Sequence, residues 1–400
     1  MQSINNLKQL GQMKKKLVLA LMLLAVSSSV NSQNPFSGGS GVIVKGTVVN
    51  TGNVRSHLPV SVEGSGAIVN DNGSSNEMRV SGLFVGSGTT VTNSGKLTVD
   101  EFVAPPPVVL DLQWSLIPGG TFYMGSPAGE PNREAANETQ HTVALSKAYY
   151  MTKYPVTNAQ YAAYLNAAGI VSDGSSTPNA KGDATVNGGT ASQIFATQNA
   201  TYGIKWVTDH WEPCTTAKAN APMTYVTWFG AKAFADYYGL SLPTEAQWEH
   251  AARGGGDATA DTKPFGIGDG TMLYAEMANF NGANPYELPG GAKTSYVAAD
   301  GHTNTYLATT TSVGQYPANA YGLYDMHGNV YEWCQDWYIA DYTAIPSYQL
   351  DPTGAATGSN RVLRGGYWSN YAQNCRSACR GSGTPTSSDD NVGFRVVFVP

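Results

Sequence analysis

Residues 321–338 read YGLYDMHGNVYEWCQDWY, and the organisation of the chain turns on what this stretch is. It reads as loop and short strand, with two carboxylates, Asp325 and Glu332, flanking Gly328 and Asn329. A glycine turn exposes backbone carbonyls. These oxygens can therefore converge on one hard cation, and ligation by oxygen alone suits calcium. The plainer reading is a buried Glu332 held by backbone amides.

Upstream lie three helical stretches. In VTNAQYAAYLNAAG (156–169) Thr157 is placed to cap, Tyr161, Tyr164 and Leu165 share one face, and Gly169 ends the helix. TWFGAKAFADYYG (227–239) supplies a second helix, and LPTEAQWEHAARGG (242–255) a third, capped by Thr244 and stopped by Gly254. WSLIPGGTFYMGS (114–126) is expected to form a hairpin turning at Gly119-Gly120. Glu245, Glu249 and His250 on the third helix invite a catalytic reading. Yet Glu245 sits one residue past the cap and Glu249 reaches Arg253 at i,i+4, so helix dipole and ion pairing account for both. His250 has no second imidazole at metal spacing and is assigned no ligand role. Few helices among long loops and short strands make an α+β domain over residues 111–400.

The rest of the chain has a different texture. Four hundred residues suffice for two or three domains. With 13% charged residues, 45 Gly and 23 Tyr, the composition suits a loop-rich β protein and argues against a helical bundle or disorder. MKKKLVLALMLLAVSSSVNS (13–32) has the lysine cluster, short apolar run and small terminal residues of a secretory signal peptide, so residues 1–32 are expected to be removed before Gln33. The apolar run is too short to span a bilayer, no transmembrane segment is expected after its removal, and no cysteine near the cut offers a lipid anchor. Cleavage takes four lysines and no acid from a chain of net charge −6, which makes nucleic acid a poor partner. Within residues 33–103, GVIVKGTVVNTGNV and GLFVGSGTTVTNSGKLTV look like two copies of a strand–turn–strand unit. They predict a small all-β solenoid or sandwich, read as a stalk. APPPVV (104–109) opens a stiff linker covering residues 104–110.

Six blocks in this order, IPGGTFYMGS, YPVTNAQYAAYL, LPTEAQWEHAARGG, YGLYDMHGNVYEWCQDWY, RVLRGGYW and NVGFRVV, resemble the formylglycine-generating enzyme, or sulfatase-modifying factor, family across residues 111–400. The resemblance implies that family's C-type-lectin-like α+β fold. It also implies a calcium site made by Asp325, the carbonyls of Gly328 and Val330, and Glu332. A second calcium site maps onto Asn279 and Phe280, but its acidic partner falls near Thr305, which supplies no carboxylate.

Active members of that family hold copper(I) between two cysteines five apart and use it to oxidise a substrate cysteine. Soft thiolates are what copper(I) prefers. Counted forward from Gly365-Gly366, the two positions are Asn370 and Cys375; counted back from GFR (393–395), the match slides by two and neither thiol lands well. One thiol is missing, so copper is not expected and oxidase activity is expected to be lost unless Cys375 and Cys379 act at a different spacing. Cys214, Cys334, Cys375 and Cys379 are an even number in an exported chain, which leads to the expectation of a disulfide. The sequence does not fix its connectivity; Cys334 with Cys375 is the favoured pair because both lie in matched blocks.

Tyr367, Trp368, Ser369, Asn370 and Tyr371 are followed by GSGTPTSSDDN, which contributes Ser382, Asp389 and Asp390. Large rigid aromatics among adaptable Ser, Gly and Asn are the composition of antibody paratopes. The segment also resembles the variable C-terminal part of relatives diversified by retroelements. An ordinary polar loop is the plain alternative. The expected protein is exported, at the periplasm, the cell surface or outside, and contacts a protein or glycan through residues 366–391. The alternatives are a copper-dependent oxidoreductase and a structural component of an envelope assembly.

Overall fold

In the computed structural model, the helices begin at the threonines named above. The structure describes residues 110–172, 180–181, 202–255, 263–293, 302–343 and 345–400, together with ten short strands between residues 42 and 103. The expected signal peptide and nearly all of the proline linker lie outside the described residues. Helix α1 (Asn158–Ala167) starts at Thr157, whose hydroxyl accepts from the Gln160 N–H while the Gln160 side chain accepts from the Thr157 N–H. Thr244 and Gln247 repeat this reciprocal cap on α3 (Glu245–Ala252), and Thr227 caps α2 (Trp228–Tyr237). Each cap contributes about 1 kcal/mol. Gly169 and Gly254 follow α1 and α3 in left-handed conformation, with φ of 67° and 76°.

The face expected on α1 is the buried one. Tyr161 stacks on Phe234 of α2 at 5.9 Å and meets Phe394 edge-on at 6.0 Å, while Tyr164 meets Phe234 edge-on at 5.3 Å. Leu165 and Trp333 join the same cluster. A second cluster gathers Phe122, Met151, Trp248 and Cys334, and a third Phe265, Tyr286, Ala372 and Cys375.

The hairpin expected at 114–126 does not form. Trp114–Ile117 pairs antiparallel with Tyr149–Thr152, while Gly120–Met124 pairs antiparallel with His141–Leu145 in a different sheet. Pro118 has no N–H to close a tight turn. A Cβ on Gly119 would lie 2.8 Å from the Leu145 carbonyl oxygen, so the chain is pressed against another strand at the corner instead of folding back.

One sheet positions everything discussed below. Its order is Arg380–Gly383, Arg361–Arg364, Tyr331–Trp337, Val392–Gly393, with the first three antiparallel to one another and the last parallel to its neighbour. In register, Arg380 lies opposite Arg364 and Arg364 opposite Glu332, which places three charged residues in one row across the sheet. Helix α3 packs on this sheet and lays Glu245, Trp248 and Glu249 over the row.

Residues 1–105 cluster as a separate unit. There, Val42–Val44, Val60–Val62, Leu83–Val85 and Phe102–Val103 form one parallel sheet. Thr47–Asn50, Ala67–Asn70 and Thr90–Asn93 form a second, and Val54–Ser56, Glu77–Val80 and Lys96–Val99 a third. Each strand pairs with the third one along, which is the winding of a solenoid and not of a sandwich. Asn50, Asn70 and Asn93 share one register row.

Phe234 touches both helices and the C-terminal strand region, so Phe234→Ala should cost about 3–5 kcal/mol in chemical denaturation. A loss below about 1 kcal/mol would show that this cluster does not hold the helices.

Candidate functional site

Beneath the C-terminal loops lies a set of buried ion pairs. Arg380 grips Glu245 through Nε at 2.7 Å and Nη2 at 2.9 Å, and Arg364 Nε stands 3.0 Å from the same carboxylate. Arg364 also bonds Glu249, whose other oxygen accepts from the Gly125 N–H at 2.8 Å and from Arg253 Nη2 at 2.7 Å. Arg395 holds Glu332 through Nε and Nη2 at 2.7 and 2.8 Å, and Trp248 Nε1 adds a third bond to Glu332 at 2.7 Å. Arg376 takes Glu138 in the same two-pronged way, 2.8 Å on each oxygen, and pairs with Glu130 as well. Burial pushes the Glu245 carboxyl up, but the charges of Arg380 and Arg364 outweigh it and hold the pKa at about 2. Glu130, where burial outweighs Arg376, is shifted upward.

The local expectation for Glu245 and Glu249 therefore covered a fraction of their role. The Glu249–Arg253 pair is present at 2.7 Å. Arg364, Arg376, Arg380 and Arg395, all buried, were missed. The sequence did carry a signal: in a chain with only 13% charged residues, arginines set into apolar, strand-like blocks are conspicuous.

Above this layer, residues 366–374 form a turn followed by a short 3-10 helix, Ala372–Cys375. Asn370 closes the turn: its Oδ1 accepts from the Tyr367 N–H at 3.2 Å and its own N–H donates to the Tyr367 carbonyl at 2.9 Å. The Asn370 carbonyl accepts from the Asn281 N–H at 2.9 Å, and the Ala372 N–H donates to the Asn284 carbonyl at 3.1 Å. Tyr306 joins from a third segment, with its hydroxyl 3.0 Å from Ser369 Oγ and its ring near-parallel to Trp368, centroids 6.4 Å apart. Trp368 is half-buried, and its Nε1 is buried with no hydrogen-bond partner among the described residues. Tyr367 is half-buried against Tyr331 at 5.4 Å, while Tyr371 is 49% exposed. Tyr306, 42% exposed, was not legible in the sequence because nothing local marks its contact with residues 368–369.

The other expected ligand contacts lie on the strand Arg380–Gly383 (Ser382) and on the loop that follows it (Asp389 and Asp390). Ser382 and Asp389 are exposed and Asp390 is half-buried. This loop packs toward α2: the Tyr225 N–H donates to the Asp389 carbonyl at 2.8 Å and the Trp228 N–H to the Pro385 carbonyl at 3.1 Å. Tyr331 lies between the two loops, with its ring on Tyr367 and against Gly381.

All four cysteines are buried free thiols, so the expected Cys334–Cys375 bridge is absent. The two belong to different core clusters, which explains why shared motif membership misled the pairing. Burial drives the Cys375 thiol pKa well above its usual value, with Cys379 adding to the shift, and lifts that of Cys379 to about 12. His327 tethers this region: its Nε2 accepts from the Gly266 N–H at 3.0 Å, which leaves Nδ1–H to donate to the Cys375 carbonyl at 2.9 Å. Burial holds its pKa at about 4, so it works as a neutral imidazole.

Of the oxygens expected around calcium, Glu332 spends three acceptor positions on Arg395 and Trp248. Asp325, Asn279 and Gly328 line one small cavity of about 10 Å³, where Asn279 Oδ1 is buried without a partner. The Val330 N–H folds back onto the Gly328 carbonyl at 3.0 Å, and Phe280 is buried in the third cluster. Among the described residues no three His, Cys, Asp or Glu side chains gather as a metal-holding group. No helix among them is long and apolar enough to cross a membrane.

The family profile described as "Sulfatase-modifying factor enzyme 1-like domain" matches residues 106–399. The formylglycine-generating enzyme of Streptomyces coelicolor is 36% identical over 294 residues, covering 70% of this chain and 87% of that protein. Serine/threonine-protein kinase pkn1 of Chlamydia pneumoniae is 32% identical over 292 residues, covering 73% of this chain and 38% of its own length. Among solved structures, PvdO from Pseudomonas aeruginosa aligns with a TM-score of 0.50 at 27% identity, covering 72% of this chain and 94% of that one.

Asp336 offers a pH test of the buried layer. It accepts from the Glu245 N–H at 2.9 Å, and burial, followed by the Glu245 charge, raises its pKa to about 7. A folded-state pKa above the unfolded value means that the folded chain holds the proton more tightly, so this contribution is lost as pH rises from about 4 to 7. Asp336→Asn should therefore gain on the order of 1–3 kcal/mol over the parent at pH 8 and nothing near pH 4. A pH-independent difference in denaturation midpoint would contradict the assignment.

Proposed function

This chain belongs to the sulfatase-modifying factor enzyme 1-like family, and we propose that its C-terminal domain binds a ligand through the loops around Tyr367–Tyr371 and does not oxidise cysteine. The observation that carries this reading is Asn370. It stands where a copper-binding member needs a thiolate, and its side chain is spent on closing the turn at Tyr367. An amide is a poor ligand for copper(I), and the remaining thiol, Cys375, is buried and held in its protonated form. Cys375 with Cys379 is no better placed, since burial also keeps the second thiol protonated. The donors present do not fit copper.

What stands in place of a copper pair is a braced turn bearing Tyr367, Trp368, Ser369 and Tyr371. Loops held on a rigid scaffold are where binding residues concentrate, and Tyr and Trp give contact area at small entropic cost. The leader read in residues 1–32 would deliver the chain to the periplasm, the cell surface or the medium.

The decisive experiment is a copper(I) titration with thiol counting. The purified protein should bind copper(I) no more tightly than its Cys375→Ser variant and should leave a Cys-Xaa-Pro-Xaa-Arg peptide unoxidised by mass spectrometry. Stoichiometric tight copper, or aldehyde formed in turnover, would restore the oxidase reading.

Calcium belongs to the same proposal as a structural ion. Asp325, the Gly328 carbonyl and the orphaned Asn279 Oδ1 share a cavity with room for one small species, so they would hold it. A ligand bound only by the folded state raises stability by mass action. Excess chelator should lower the melting temperature of the parent and leave an Asp325→Asn, Asn279→Ala variant unmoved. An unchanged parent Tm, with no calcium found by elemental analysis, would remove the site.

A further inference from the structure

We infer that the ligand of this surface, on the reading that the Tyr367–Tyr371 loop is a binding loop, is a neutral glycan seated across three segments: 281–284, 303–307 and 367–374. These segments are joined by the Asn281 N–H to Asn370 carbonyl bond, the Ala372 N–H to Asn284 carbonyl bond, and the Tyr306–Ser369 contact. Thr305 completes the join, since a Cβ on Gly282 would lie 2.3 Å from its carbonyl oxygen.

Their chemistry is the argument. NGAN, TNTYL and YWSNYAQN contain no charged residue at all, in a protein whose net charge is −6. Apart from the Trp368 indole N–H, every polar side-chain group among them is an amide or a hydroxyl, groups that both donate and accept. A carboxylate on the margin, Glu276, is spent on His302 and on the Thr303 N–H and hydroxyl. A charged ligand would find no counter-charge here. A sugar ring presents the complement of what is offered: hydroxyls that donate and accept, and a face of C–H groups that packs on the electron-rich faces of aromatic rings. Tyr306, Trp368 and Tyr371 supply such rings, and Leu307, 43% exposed, extends the apolar part.

A peptide is the competing occupant, and the backbone argues against it. Extended peptides gain affinity by adding to a strand edge, and none of the three segments is a strand. Tyr306, Asn281 and Asn284 thereby enter the site, although the sequence pointed to none of them as ligand contacts.

The test is an array of neutral glycans covering hexose, N-acetylhexosamine and pentose linkages, probed with the full exported chain. Hits are then measured by calorimetry in low and high salt. Binding of at least one neutral class should saturate and change less than about twofold in high salt, because no ion pair is being screened. Tyr306→Ala and Tyr371→Ala should each weaken it about tenfold or more, as loss of an aromatic anchor does, while Tyr348→Ala, an exposed tyrosine on another sheet, should not. Binding confined to charged glycans, or insensitive to Tyr306→Ala, would overturn the glycan assignment. Were no glycan to bind while a protein or peptide bound in a Tyr371-dependent way, the binding-loop reading would stand and the glycan would fall. No Tyr371-dependent ligand of either kind would remove both.

Discussion

The structure depends on arginines buried opposite glutamates. A charge taken out of water costs several kcal/mol unless it is paired and its remaining donors are satisfied. Here each arginine is paired, and beyond its carboxylate it donates to loop carbonyls. Arg364 bonds the carbonyls of Ser377 and Cys379, Arg376 those of Gln373 and Asn132, and Arg380 those of Ile339 and Asn137. Arg395 bonds the carbonyls of Thr152 and Tyr324. A domain whose described residues hold three short α-helices and short strands leaves much of its backbone outside any ladder, yet buried carbonyls still need donors. The guanidinium groups supply them. They do for irregular loops what a hydrogen-bond ladder does for a strand, and their fixed fork geometry sets where each loop runs.

The row Arg380, Arg364 and Glu332, covered by α3, anchors the far ends of the 366–379 segment, and the outward turn at Tyr367–Tyr371 makes no charged contact of its own. Of its side chains Tyr371 is exposed, while Tyr367, Trp368 and Ser369 are half-buried. The Asn370 amide carries the turn that holds this loop shut.

What the sequence made legible was local or carried by ordered blocks. Thr157 and Thr244 with glutamines three residues on announce helix starts, and the face of Tyr161, Tyr164 and Leu165 follows from helical spacing alone. The α+β class followed from the same count of helices and loops. The hairpin at 114–126 failed because Gly119-Gly120 looks like a turn locally, while its actual requirement is close approach to Leu145 in another strand. The Cys334–Cys375 pairing failed for the same kind of reason, since motif membership says nothing about which core a side chain enters. Glu249 shows the limit within one residue: its bond to Arg253 was readable at i,i+4, and its bonds to Gly125 and Arg364, more than a hundred residues away, were not.

If the arginine layer is what fixes the loops, its effect must be local and visible in exchange of backbone amides. Arg376 is the most direct place to look, because it ties the 373–376 turn to the 130–138 loop through Glu130, Glu138 and Asn132. Hydrogen–deuterium exchange on the Arg376→Met chain, read by mass spectrometry, should show protection falling in residues 366–376 and 130–138 while α1 and α2 keep theirs. Unchanged protection in those two loops would contradict the account.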